Sequence, residues 1–178
     1  ARIARLVGSE MCIRDRAEVI HPPVDVGRFR WDAPRDDVYL CLCRLVPYKR
    51  VDLVVEAFNR LKLPLVVVGD GPERARLQAL VGPTVTLLGR QSPQQVEALM
   101  ARCRAYVYAG LEDFGIAPVE AMASGAPVIA LGRGGLLDTV RCASAGIPRP
   151  PGFCSPIRRW NLCSRRCSGL RSSGSGVS

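Results

Sequence analysis

The chain of 178 residues contains one histidine, His21. Nowhere does an apolar run reach the roughly 18 to 20 residues that span a bilayer. The lack of histidine weakens any metal-site reading of Cys163 and Cys167, because their spacing also misses the usual two-residue knuckle and His21 lies far away in the sequence. The first residues hold no secretory apolar segment. Acidic residues are missing from 141–178, where seven Arg leave a net charge of +7, and residues 1–16 carry a net +2. Between them, 17–140 holds 14 basic and 14 acidic residues, so the overall +9 belongs to the two ends. A nucleic-acid-binding module would rest on that charge alone, and the balanced middle removes its footing. Only Cys41, Cys43 and Cys103 fall within 17–140, as expected of a reduced, cytoplasmic domain.

The ends have an expected origin outside protein design. Back-translated, Leu6–Arg16 gives without interruption the tagmentation adapter that ends in the transposon mosaic end, and Arg5 fits the two bases before it. Residues 1–16 are therefore expected to be a library scar without structure. Residues 141–178 show neither helical nor strand period and are rich in Arg, Cys, Pro and Ser. Reading their codons one frame over permits "TG-x-LF" followed by "VE-x-L", with a forced Leu at Phe153–Cys154 and a forced Glu at Trp160–Asn161. The expected division is thus a scar (1–16), a folded domain (17–140) and an out-of-frame, disordered tail (141–178).

Within 17–140, strand and helix signals alternate. "VYLCLC" (38–43), "LPLVVVGD" (63–70), "TVTLLG" (84–89), "RAYVYAG" (104–110) and "APVIAL" (126–131) are short apolar runs suited to strands buried on both faces. The runs 51–61, 72–80, 92–103 and 117–125 carry helical spacing between them, and a last helix is expected near Leu136. Ser92, Pro93 and Gln95 spell a capping-box start, and Gly125 closes the fourth helix. The expectation is an α/β domain, a Rossmann-like doubly wound parallel sheet with ligands at the carboxyl ends of its strands.

Those ends carry the polar residues. Arg44 and Lys49 follow the first strand; Gly69 and Gly71 permit a tight turn after the second. Glu112 and Glu120 follow the fourth, and Gly134 and Gly135 precede a helix, where free N–H groups favour a phosphate. Singly, each has a plain explanation as a solvated charge, a turn former or a helix-favouring acid. Jointly, cations, an anion site and two carboxylates on neighbouring loops suit a nucleotide diphosphate bearing a sugar. A nicotinamide-dependent oxidoreductase would share the sheet, but neither "GDGP" nor "GRGG" is G-x-G-x-x-G after a first strand.

"VIHPPVDVGRF", "RLVPYKRVDLVVEAF", "VVVGDGPE", "LLGR", "EDFGIAPVEAMASGAPVIA" and "GRGGLLDTV" together resemble the C-terminal, donor-binding half of retaining GT-B glycosyltransferases, most closely bacterial mannosyltransferases of cell-surface polysaccharide assembly. The resemblance implies that Arg44 and Lys49 neutralise the donor diphosphate and that Glu112 sits beside the donor sugar. It places the backbone of Phe114, Gly115 and Ile116 near sugar and phosphate oxygens, and Glu120 at the ribose hydroxyls. Gly69 belongs to the donor-binding set, Gly89 and Arg90 lie near the base, and Gly134 and Gly135 lie under the phosphates. It implies GDP-mannose or another nucleotide-diphosphate sugar as donor, no metal or other cofactor, and no nucleic acid. It also implies a glycan or lipid-linked acceptor held by an N-terminal domain, in a cytoplasmic enzyme working at the inner face of the cytoplasmic membrane. By itself the chain is expected to be half an enzyme and inactive. Cys43 stands where the family usually has Gly, and its side chain is expected to crowd the diphosphate; Asp138 replaces the commoner Glu.

Overall fold

The structure is a computed structural model describing residues 20–140 and 160–163. The expectations for 1–16 and for most of the tail lie outside the described residues. The elements run β1 (Tyr39–Leu42), α1 (Val51–Leu61), β2 (Leu65–Val68), α2 (Arg74–Leu80), β3 (Val85–Gly89) and α3 (Pro93–Arg102). There follow β4 (Ala105–Tyr108), α4 (Ile116–Ala123), β5 (Val128–Leu131), α5 (Leu136–Thr139) and β6 (Trp160–Cys163). Strand order is β3-β2-β1-β4-β5-β6, with the first five parallel. The expected Rossmann-like sheet is present.

Burial on both faces explains the strand composition. Tyr39, Cys41, Leu65, Val67 and Val107 point toward α1 and α2, where they pack with Val51, Val54, Val55, Phe58 and Leu77. Leu40, Tyr106, Tyr108, Val128 and Ala130 point to the other side, against Met100 of α3 and Ala121 of α4. Successive residues of a strand thus feed opposite cores, which is why the runs read as continuously apolar rather than alternating. The α1 contacts recur at three- and four-residue spacing, one stripe of a helix.

Helix ends follow local chemistry. At α3, Ser92 Oγ accepts from the Gln95 N–H at 3.3 Å and Gln95 Oε1 accepts from the Ser92 N–H at 2.9 Å, the reciprocal pair that the sequence spells. Helix α2 begins at Arg74, two residues after the expected Pro72, because the Glu73 N–H donates to the Leu45 carbonyl (3.1 Å) across to the β1 loop. Arg35 ties the chain before β1 to the domain, donating to the Cys103 carbonyl at 2.8 Å and the Ser124 carbonyl at 2.7 Å, just past the carboxyl ends of α3 and α4.

The tail requires a correction. Read as lacking any strand, it supplies β6, which pairs antiparallel with β5 from Val128↔Cys163 to Leu131↔Trp160. An edge strand presents a row of unpaired N–H and C=O groups that accept any extended backbone, whatever the side-chain period of the partner. Two substitutions test this packing account by urea unfolding of the full chain. Leu65→Ala, in the centre of one core, is expected to cost about 2–5 kcal/mol. Ser92→Ala, which removes one half of the capping box, is expected to cost about 1 kcal/mol.

Candidate functional site

In the order 3-2-1-4-5-6, the direction in which successive strands are added to the sheet reverses between the parallel neighbours β1 and β4, so the loops leaving these two strands diverge and open a crevice between them. Lys49 leaves β1 and Glu112 leaves β4. Their side chains meet across the gap as an ion pair, with Lys49 only 12% and Glu112 25% exposed. The sequence placed both residues at strand ends; topology alone joins them, 63 residues apart.

Tyr108, the last residue of β4, donates its hydroxyl to the same Glu112 oxygen, Oε1. A buried phenol needs an acceptor, and here the carboxylate supplies it. Burial, reinforced by the bond to Glu112, pushes the Tyr108 hydroxyl far above its usual range, so it stays protonated and keeps its proton to donate. The Lys49 ammonium also lies 4.9 Å from the Tyr48 ring centroid and 5.6 Å from that of Tyr108. Gly110 makes this closeness sterically allowable: a Cβ there would stand 2.6 Å from the Tyr108 hydroxyl and 2.9 Å from the Lys49 Cα. Sequence reasoning missed both Tyr108 and Gly110. The one available signal was a tyrosine inside an otherwise apolar strand.

Backbone contacts fix the surrounding loops. Gly69 has φ +137° and Gly71 lies equally close to the chain: added Cβ atoms would meet the carbonyls of Cys43 and Leu45 at 1.9 and 2.3 Å. The β1 and β2 loops are accordingly zipped, Cys43 N–H to Val68 O (3.1 Å) and Leu45 N–H to Asp70 O (3.0 Å). Gly134 and Gly135 press on the backbone of Glu112 and Asp113 in the same way. The Gly135 N–H is spent on the Glu112 carbonyl at 2.8 Å, and α5 is only one turn long. The expectation of a free amide at Gly135 is therefore corrected: this glycine holds the Glu112 loop in place.

Free amides occur instead at α4. Among the described residues, the N–H groups of Phe114, Gly115, Ile116 and Ala117 donate to no protein acceptor. They form the start of an eight-residue helix, where unpaired donors and the macrodipole favour an anion. Gly115, with φ +85°, makes the turn. The Phe114 ring lies 5.4 Å from that of His21.

Glu120, one turn into α4, accepts from Arg28 at 3.1 Å, and Arg28 also pairs with Glu97 at 3.4 Å. Burial raises the Glu120 carboxyl above its ordinary value; Arg28 offsets part of this and Glu97 adds to it. Arg28 was not legible as a partner, being 92 residues away in sequence. The Arg44 and Arg90 side chains are exposed and, among the described residues, make no hydrogen bond or ion pair. Gly89, at φ +71°, joins the Gly69 loop through its carbonyl at 2.9 Å, on the β3 side of the sheet and away from Glu112. Cys43 packs against both cores, and the buried Cys41 thiol hydrogen-bonded to it lowers its pKa, as does Lys49. A separate cavity of about 360 Å³, between α3 and β1–β3, is lined chiefly by apolar groups such as Leu40, Val66, Leu88 and Leu99. Its charged lining groups, Asp36 and Arg102, are paired with each other, and Gln91 and Gln95 complete the polar part of the wall.

These features define a Rossmann-like α/β domain with unpaired backbone amides beside its switch point. The family described as "Glycosyl transferases group 1" matches residues 28–153, and the chain belongs to it. The chain is 34% identical over 129 residues to a GDP-mannose-dependent alpha-mannosyltransferase of Mycobacterium tuberculosis, covering 72% of this chain and 34% of that protein. It is 30% identical over 176 residues to a D-inositol 3-phosphate glycosyltransferase of Nocardia farcinica, covering 82% of this chain and 38% of that one. Among solved structures, AviGT4, a glycosyltransferase involved in avilamycin A biosynthesis, aligns with TM-score 0.61 at 25% identity over 72% of this chain and 44% of that one. Anabaena Alr3699/HepE, solved with UDP and glucose, aligns with TM-score 0.54 at 26% identity over 60% of this chain and 32% of that one. The chain thus spans about a third of the length of these curated relatives.

The interlocking loops predict the effect of an added methyl group. In Gly135→Ala the new Cβ would lie 1.7 Å from the Asp113 carbonyl oxygen, so the loop must shift. A loss of about 1–3 kcal/mol is expected in urea unfolding. Gly27→Ala, whose Cβ would meet only Asp25 Oδ1 at 3.6 Å, is expected to be neutral.

Proposed function

We propose that this chain is the donor-binding part of a mannosyltransferase that takes GDP-mannose and transfers mannose, with retention and without a metal, to a glycan or lipid-linked acceptor. The carrying observation is the meeting of Lys49 and Glu112 at the switch point, beside the unpaired amides of 114–117. Support for mannose and GDP comes from the curated relatives, of which two kinds are GDP-mannose-dependent mannosyltransferases.

In this reading the sugar leaves the diphosphate through an oxocarbenium-like state, and the domain's work is to stabilise the departing charge. Lys49 and the free Arg44 supply cations, and the α4 amides supply fixed donors that need no reorganisation. Glu112 accepts from a sugar hydroxyl and Glu120 from the ribose hydroxyls. Arg28, which now occupies Glu120, must share it with the nucleotide. The acceptor is held by sequence beyond this chain, at the inner face of the cytoplasmic membrane.

Calorimetric titration of the full chain with GDP-mannose, UDP-glucose and NAD tests the reading. GDP-mannose is expected to bind tightest, and Arg44→Ala and Lys49→Ala are each expected to weaken it about tenfold or more, the weight of a charge-assisted hydrogen bond. Preferential binding of NAD would overturn it.

A pH dependence follows from Glu120. Its raised folded-state pKa means that it takes up a proton at a higher pH than an ordinary glutamate, and the protonated form is the weaker acceptor. GDP-mannose affinity is expected to fall on acidification, beginning above the usual glutamate range. In Glu120→Gln that part of the pH dependence should vanish while overall affinity drops.

A further inference from the structure

We infer that Tyr108 is a positioning residue for sugar recognition: its hydroxyl holds Glu112 in place when the donor diphosphate draws Lys49 away. The inference rests on the donor-site reading above and adds to it a residue with a distinct task.

Glu112 Oε1 accepts from both Lys49 and Tyr108, whereas among the described residues Oε2 accepts no hydrogen bond. One oxygen is saturated by the protein and the other is left for a ligand. The two restraints differ in kind. Lys49 is a flexible stem with a point charge, and an arriving diphosphate competes with Glu112 for that charge. Tyr108 is 1% exposed, its ring stacks on Tyr106 with centroids 6.5 Å apart, and Gly110 packs directly against its hydroxyl. Among the described residues its hydroxyl makes no second hydrogen bond, and Gly110 crowds it on one side. When Lys49 swings toward the phosphates, Tyr108 alone keeps the carboxylate aimed, so Oε2 meets a sugar hydroxyl without first paying to be ordered.

The competing explanation is a core tyrosine whose hydroxyl has merely found the nearest acceptor. The two separate in binding. A positioning role affects ligands that carry a sugar and spares those that end at the diphosphate, whereas a packing role moves both together.

The test uses the full chain, titrated calorimetrically with GDP-mannose and with GDP. Tyr108→Phe removes only the hydroxyl. It is expected to leave GDP affinity within about twofold while weakening GDP-mannose about tenfold, the worth of one hydrogen bond to a charged group. Glu112→Ala, which leaves the buried ring untouched, should lose sugar selectivity in the same way. Adding Tyr108→Phe to it should then change nothing further, the signature of two residues acting through one interaction. Equal loss of GDP and GDP-mannose in Tyr108→Phe, no loss at all, or a full additional loss in the double variant would overturn the role of Tyr108 and leave the donor site standing. Failure of the unaltered chain to bind either nucleotide would overturn the donor-site reading, and this inference with it.

Discussion

The ion pair between Lys49 and Glu112 spans the switch point between β1 and β4, where the order of strand addition reverses, and most of the site is arranged around it. A lysine and a glutamate with this little exposure have given up much of their hydration. Such a pair persists only where further polar groups satisfy it. Here Tyr108 provides the extra donor, and the rings of Tyr48 and Tyr108 flank the ammonium. Breaking a pair of this kind by removing one member leaves an uncompensated charge. Under the proposed function, a diphosphate that drew Lys49 away would give the ammonium a replacement anion, while Glu112 would keep its bond to Tyr108.

Glycine is what brings the four loops near enough to work together. Gly69 and Gly71 let the β2 loop lie on the β1 loop, Gly110 lets Tyr108 reach Glu112, and Gly134 and Gly135 let the β5 loop hold the backbone of Glu112 and Asp113. Each contact is backbone against backbone or hydroxyl, at distances where a side chain has no room. The cations and acids supply the chemistry, and the glycines set its geometry. This division explains why the Gly135 amide is engaged internally while the start of α4 offers its donors outward.

Much of the fold was legible in the chain. Continuous apolar runs separated by helical stripes specify a parallel sheet buried on both faces, and the Ser92 capping box fixes a helix start to the residue. The site was legible as a set of residue types at strand ends, including the Lys49 and Glu112 that prove to be in contact. Illegible were features that depend on distant backbone. Arg28 reaches Glu120, and Arg35 reaches the carbonyls of Cys103 and Ser124, with no local periodicity to announce either. Tyr108 looked like core because its ring is core; only its hydroxyl reaches Glu112, and composition does not separate the two. The strand Trp160–Cys163 was hidden because its pairing is a property of the open edge of β5 rather than of its own side chains.

The most direct test of the crevice as the donor site is to follow backbone amide NMR shifts of the isotopically labelled full chain as GDP-mannose is added. The account predicts the largest changes at the N–H groups of Phe114, Gly115, Ile116 and Ala117, with smaller ones at Lys49 and Gly134. Changes confined to the apolar cavity beside α3, with residues 114–117 unmoved, would contradict it.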